Sequence, residues 1–281
     1  MYSHSKLERF KKSKEELAIL GPEFKSEALP MVTQLYNTTY WILINERYTK
    51  KIIKQVFFEA IEYCNVTKNQ SDWQSWIMRI WMREIVDYYS EKENDTETKF
   101  DFIENTEVEA SKVTSFFNSI NSDYNLVGSD LKRLLEKLPS LLRIPLILKE
   151  IHSFNYEKIA YLTDVPEGVI ATRIYRARKL LFLSFDKDFL FEEEKKKWSQ
   201  KESTKIIFEL RKCASSVDKE FTSEQELIFN ELVKNSLSLK AELLIQEGIK
   251  SLLKKCLLDN TSIERIKSII ECKARKKFHY E

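Results

Sequence analysis

Four glycines and five prolines are all that punctuate 281 residues. Tight turns draw on those two residue types, and a sheet protein of this length needs many such turns. The chain therefore reads as long helices with few breaks, an all-α fold. Its length allows about two domains of roughly 150 residues and a core that needs no cross-links.

Periodicity locates the helices. Ile52, Ile53, Val56, Phe57 and Ala60 fall on one helical face, and Trp73, Trp76, Ile77, Ile80, Trp81 and Ile85 on another. Residues 24–48 are aromatic-rich and mostly helical by pattern. Residues 65–72 are polar and read as a loop, with Asp72 offering an N-cap. Residues 91–109 carry eight acids and two bases, which predicts a solvated, mobile linker. A short helix is expected over 112–121, and Gly128 and Ser129 mark a break. Residues 130–152 form one helix or two, interrupted near Pro139 and Pro145. Residues 155–163 and 166–183 make two more helices, and the chain from about 187 onward is again helical and charged.

Several function classes are excluded. Cys64, Cys213, Cys256 and Cys272 are widely spaced, with no C-x-x-C and no companion histidine at ligand spacing. No metal and no disulfide framework is expected, only reduced thiols in a cytoplasmic protein. There is no glycine-rich phosphate loop and no nucleophile beside a base, so neither an enzyme nor a cofactor is expected. No stretch of about 18 apolar residues is present, so no membrane span is expected, and residues 1–17 do not read as a secretory leader. With 46 Lys and Arg against 44 Asp and Glu, the net charge is only +2. A nucleic-acid binder of this composition needs a local basic face.

Such a face occurs in residues 153–181 (SFNYEKIAYLTDVPEGVIATRIYRARKLL). Asn155 caps a short helix whose inner face is Ile159, Ala160 and Leu162. A turn spans 163–166, because a residue before proline leaves the helical region, and Pro166 opens the next helix. There Ile170, Ile174, Ala177 and Leu181 form a buried stripe. The other face carries Glu167, Ala171, Thr172, Arg173, Arg176 and Lys179, with Arg178 at the flank. A short helix, a tight turn and a basic helix make a helix-turn-helix, whose second helix enters the major groove. Small or polar residues near its start would touch base edges and the later cations phosphates. Periodicity alone fits a plain helical hairpin with a solvated basic face equally well.

Leu138-Pro139, Arg143, Asn155–Ala160, Pro166-Glu167-Gly168 and residues 173–179 (RIYRARK) resemble region 4 of the sigma-70 family. Val169 and Thr172 depart from that family's Thr and Ser. Residues 76–89 (WIMRIWMREIVDYY) are similar to the promoter-melting segment of region 2, and Ile52, Ile53, Phe57 and Ala60 to the helix before it. The resemblance, closest to the extracytoplasmic-function type, implies a factor that brings core RNA polymerase, through its beta and beta-prime subunits, to promoter DNA. It assigns minus-35 contacts to Glu167, Ala171, Thr172, Arg173, Arg176 and Lys179. Minus-10 contacts fall to Lys68, Asn69, Gln70, Trp73, Arg79 and Arg83, since capture of unpaired bases uses aromatic faces and cations. Trp73, Trp76 and Trp81 fit core packing as well as they fit stacking on bases. Polymerase contacts fall to Lys51, Lys54 and Gln55. Lys51 and Lys54 replace an acid and a glutamine, Arg83 replaces an asparagine, and Ser90 and Glu91 replace two arginines. The reversed charge at Lys51 and Lys54 opposes polymerase binding, and the loss of two cations at Ser90 and Glu91 weakens phosphate binding.

The resulting domain plan is a tail at 1–19, a region 2-like domain at 20–92, an acidic linker at 93–128, a region 4-like domain at 129–185 and a helical extension at 186–281. The extension around residues 208–257 has a looser resemblance to the zinc-binding anti-sigma domain. Glu231, Asn235 and Ser238 stand near the expected His and Cys positions, so no zinc is implied. An anti-sigma factor, or the extension itself, is a further expected partner. Residues 237–258 are amphipathic and are expected to dock between regions 2 and 4, masking a DNA or polymerase surface.

Overall fold

A computed structural model describes residues 21–63, 73–90, 108–120, 124–185, 204–257 and 264–278. Among these no strand occurs. After a π-helical turn at Phe24–Ala28, the order is α1 Met31–Leu43, α2 Glu46–Tyr63, α3 Trp73–Ser90, α4 Ala110–Ile120, α5 Tyr124–Lys137, α6 Ser140–His152, α7 Tyr156–Thr163 and α8 Glu167–Phe185. There follow α9 Thr204–Val217, α10 Ser223–Lys234, α11 Leu237–Cys256 and α12 Glu264–Phe278. The chain divides into two compact units, one of Met1–Lys92 with Asn260–Glu281 and one of Glu93–Asp259.

The first unit packs α1, α2, α3 and α12 around Leu35, Ile42, Ile53, Phe57, Ile77, Trp81 and Ile270, all buried. Each such side chain contributes about 1.5–3 kcal/mol of burial. The indole N–H of Trp81 donates to Thr39 Oγ1 (2.7 Å), whose hydroxyl donates to the Leu35 carbonyl (2.6 Å). Trp73 lies against Phe24 and Phe278, with ring centroids 5.3 and 6.2 Å away. The C-terminal helix α12 thus helps to close the core of the first unit.

In the second unit α8 runs through the middle, packed by α5, α6, α7, α9 and α11. Helix α11 has α4 on another side, and Gly248 lets the two backbones approach. A Cβ at that position would sit 2.2 Å from the Phe117 ring. Phe116 meets Phe182 (5.1 Å) and Phe185 (5.6 Å), which fastens α4 to α8. The extension is therefore not one body. Residues 204–257 join the second unit and residues 264–278 the first.

Two expected breaks are absent. Helix α5 runs through Gly128 and Ser129, and α6 through Pro145. One glycine costs a helix about 1 kcal/mol, which neighbouring contacts override. The true interruption is Pro139, the N-cap of α6. With few glycines available, four helix ends among the described residues close on other residues in the left-handed region: Ile44 (φ 51°), Ser153 (54°), Asp164 (53°) and Lys219 (58°). Each accepts a local cost of about 1–2 kcal/mol.

Candidate nucleic-acid interface

Helices α7 and α8 form the expected helix-turn-helix. The side chain of Asn155 accepts from the Lys158 amide (2.9 Å), and α7 ends at Asp164, whose amide donates to the Ala160 carbonyl. Pro166 follows and α8 begins at Glu167. Arg143 braces the motif from behind, donating to the carbonyls of Leu135 (2.6 Å) and Glu136 (2.8 Å) at the end of α5. Carbonyls at a helix C-terminus lack full intrahelical partnering, and although the Leu135 carbonyl also accepts from the Leu138 amide (3.2 Å), Arg143 supplies a donor to both.

Only the first two turns of α8 face outward. Glu167 is exposed, and Ala171, Thr172 and Arg173 are half-buried. The Thr172 hydroxyl donates to the Gly168 carbonyl (2.9 Å). From Ile174 to Leu183 every residue is buried. The expected exposed positions of Arg176 and Lys179 are thus corrected, for both lie inside the second unit. Lys179 pairs with Glu242 of α11 (2.9 Å).

Arg178 is fully buried between Glu150 (2.6 Å) and Asp218 (2.8 Å). Asp218 also accepts from Lys250 (2.7 Å) and from the Tyr156 hydroxyl (2.8 Å). Glu220 pairs with Lys149 and accepts from the Tyr156 amide at the start of α7 (3.2 Å). Burial opposes charge on Arg178, but Glu150 and Asp218 outweigh it and hold the guanidinium protonated beyond its usual range. Burial also acts on Asp218, where Arg178 and Lys250 prevail and keep the carboxyl below its usual value. At Glu150 burial prevails over Arg178, and the carboxyl is raised.

In the first unit Trp73 is buried, so the expectation of an open stacking face there is corrected. Its ring fills the space between Phe24 and Phe278. Arg79 is exposed. Arg83 reaches Glu59 of α2 (2.6 Å) and Glu84 (3.3 Å). Lys68, Asn69 and Gln70 lie outside the described residues, as does Asp72. Lys51 and Gln55 are exposed and Lys54 half-buried, in an open groove on α2 shared with Glu46, Arg47, Lys50 and Phe58. Among the described residues no group of His, Cys, Asp and Glu is placed to hold a metal ion, and no helix is long and apolar enough to cross a membrane.

The family profile for sigma-70, region 4, matches residues 129–181. The ECF RNA polymerase sigma-E factor of Escherichia coli (strain K12) is 26% identical over 136 residues, covering 46% of this chain and 70% of that protein. The factor of the same name from Salmonella typhimurium (strain LT2) gives the same figures, and that of Haemophilus influenzae is 23% identical over 135 residues. No solved structure matches. Residues 129–181 thus carry the sigma-70 region 4 pattern, and the relatives that the chain resembles are sigma factors of the extracytoplasmic-function type.

The span matched to region 4 runs from within α5 into α8, and its surroundings were the part that sequence reasoning missed. Glu150, Asp218, Glu220 and Glu242 are the carboxylates that meet the cations of α6 and α8. One indication stood in the sequence. Ile174, Tyr175, Ala177, Leu180, Leu181, Phe182 and Leu183 surround the helix axis rather than forming one stripe, the pattern of a helix buried all round.

Proposed function

We propose that this chain is a sigma factor that binds core RNA polymerase, recognises promoter DNA and directs transcription initiation from selected promoters. The observation that carries the reading is the helix-turn-helix at residues 155–185, which lies within the span 129–181 matched to region 4 except for its last four residues. Glu167, Ala171, Thr172 and Arg173 lie on the two open turns of α8 and are assigned to minus-35 bases and their flanking phosphates. Arg79 and Arg83 supply cations on α3 for the unpaired minus-10 strand. Lys51, Lys54 and Gln55 form the face of α2 assigned to polymerase, where the two lysines select an acidic counterpart.

The test is reconstitution. Purified chain is combined with bacterial core polymerase, and transcription is scored across a promoter library. Promoter-selective transcripts that vanish when the chain is omitted are expected. A chain that forms no complex with core polymerase, or forms one that initiates nowhere in the library, overturns the assignment.

A further inference from the structure

The second half of α8 is covered by residues 204–257, and the cover is matched to it by charge. Helix α8 presents Arg178 and Lys179, and α6 presents Lys149. The covering segment brings one carboxylate to each, as Asp218, Glu242 and Glu220. Gln246 adds a hydrogen bond from its side-chain amide to the Tyr175 carbonyl (3.1 Å). A helix enters a major groove about 12 Å wide only if its flanks are free, and here α9 and α11 both lie on α8. Duplex DNA and this segment therefore cannot hold residues 174–183 at the same time.

The polar part of the contact holds it only weakly. Arg178 Nε and Nη1, Glu150 Oε2 and Gln246 Oε1 are buried without a hydrogen-bond partner. Buried ion pairs add little net stability, because desolvation offsets their attraction. Opening the cover returns Lys149, Lys179, Asp218, Glu220, Glu242 and Lys250 to water while Arg178 keeps Glu150, its partner within region 4.

We propose that residues 204–257 are a displaceable acidic cover for region 4, whose carboxylates occupy the cations that duplex DNA phosphates would otherwise engage. The proposal rests on the region 4 reading and adds to it a regulated DNA surface in the same chain.

The test uses the full chain and its Glu220→Gln/Glu242→Gln variant, which weakens the cover and spares the Arg178–Glu150 pair. The probe is a labelled mixed-sequence duplex titrated at several salt concentrations. Hydrogen exchange of residues 174–183 and 239–253 reports whether the cover has lifted. The variant is expected to lose protection there and to bind the duplex about ten-fold tighter. If Lys149 and Lys179 each gain one phosphate, its salt slope steepens by about 1.8. In the unmodified chain, saturating duplex is expected to reduce protection over 239–253. A variant that has lost protection yet binds with unchanged affinity and slope overturns the proposal. If the variant stays protected or fails to fold, the unmodified chain decides, and full protection over 239–253 under saturating duplex overturns the proposal. Complex formation with core polymerase is scored separately. A chain that initiates normally but shows no cover effect loses this inference and keeps its sigma assignment.

Discussion

Replacing Arg178 with methionine keeps the length and removes the charge. Asp218 retains Lys250 (2.7 Å) and the Tyr156 hydroxyl (2.8 Å). Glu150 fares worse, since its Oε1 bonds to Arg178 (2.6 Å) and its Oε2 has no partner. Removing one member of a buried pair in this way costs about 3–5 kcal/mol, a drop of about 6–20 °C in Tm at this size. Burial already raises the Glu150 carboxyl, and without the guanidinium it rises further. A carboxyl raised in the folded state binds a proton that the unfolded chain releases. Its stabilising effect is complete below the unfolded value of about 4.3 and is lost as pH rises through the folded value. Arg178→Met is therefore expected to lie nearer to the unmodified chain at pH 5 than at pH 8. Adding Glu150→Leu removes the orphaned charge and is expected to recover at least about 2 kcal/mol, a coupling typical of partners in one network. Urea titration followed by far-UV circular dichroism measures both effects. A loss below about 1 kcal/mol, a loss independent of pH, or no recovery in the double variant refutes the reasoning.

Other expectations follow from single contacts. Burial lowers His152 to about 4, so the unfolded chain takes up its proton first as pH falls below about 6.5. Stability present at pH 7 is lost through that window, about 2 kcal/mol by pH 5, and His152→Gln is expected to flatten that part of the curve. Thr39→Val leaves the buried Trp81 N–H without its acceptor and is expected to cost about 1–3 kcal/mol in denaturant. Gly168 has open space around its missing Cβ, so Gly168→Ala is expected to stabilise α8 by up to about 1 kcal/mol. Gly248→Ala, which would drive a Cβ into Phe117, is expected to lower the Tm, since overpacking by about 1–3 kcal/mol exceeds the helix gain.

The all-helical class followed from the scarcity of turn-formers, and the helix-turn-helix from Asn155, Pro166 and the spacing of Ile170, Ile174, Ala177 and Leu181. Those features act over a few residues, so a linear pattern carries them. The fate of Arg176, Arg178 and Lys179 does not act locally. Whether a lysine on a helix meets water or Glu242 depends on a segment about sixty residues away, which no periodicity records. Trp73 posed the same difficulty, because its neighbour Phe278 comes from the far end of the sequence. Pro145 and Gly128 looked like breaks because each weakens a helix in isolation, and tertiary packing outweighed them. Asp218 and Glu220, two of the covering carboxylates, lie between α9 and α10, where no helical periodicity points to their partners.

The order of the two units along the chain has a consequence for synthesis. The first unit needs residues 264–278 to complete its core, and the second is encoded between its two parts. A ribosome adding about 5–20 residues per second finishes Arg178 and Lys179 several seconds before it reaches Glu242. In that interval the nascent chain carries a basic helix with no acidic cover, while Phe24 and Trp73 wait for Phe278. Nascent chains stalled in that interval would display the basic half of α8 to any polyanion nearby, ribosomal RNA included.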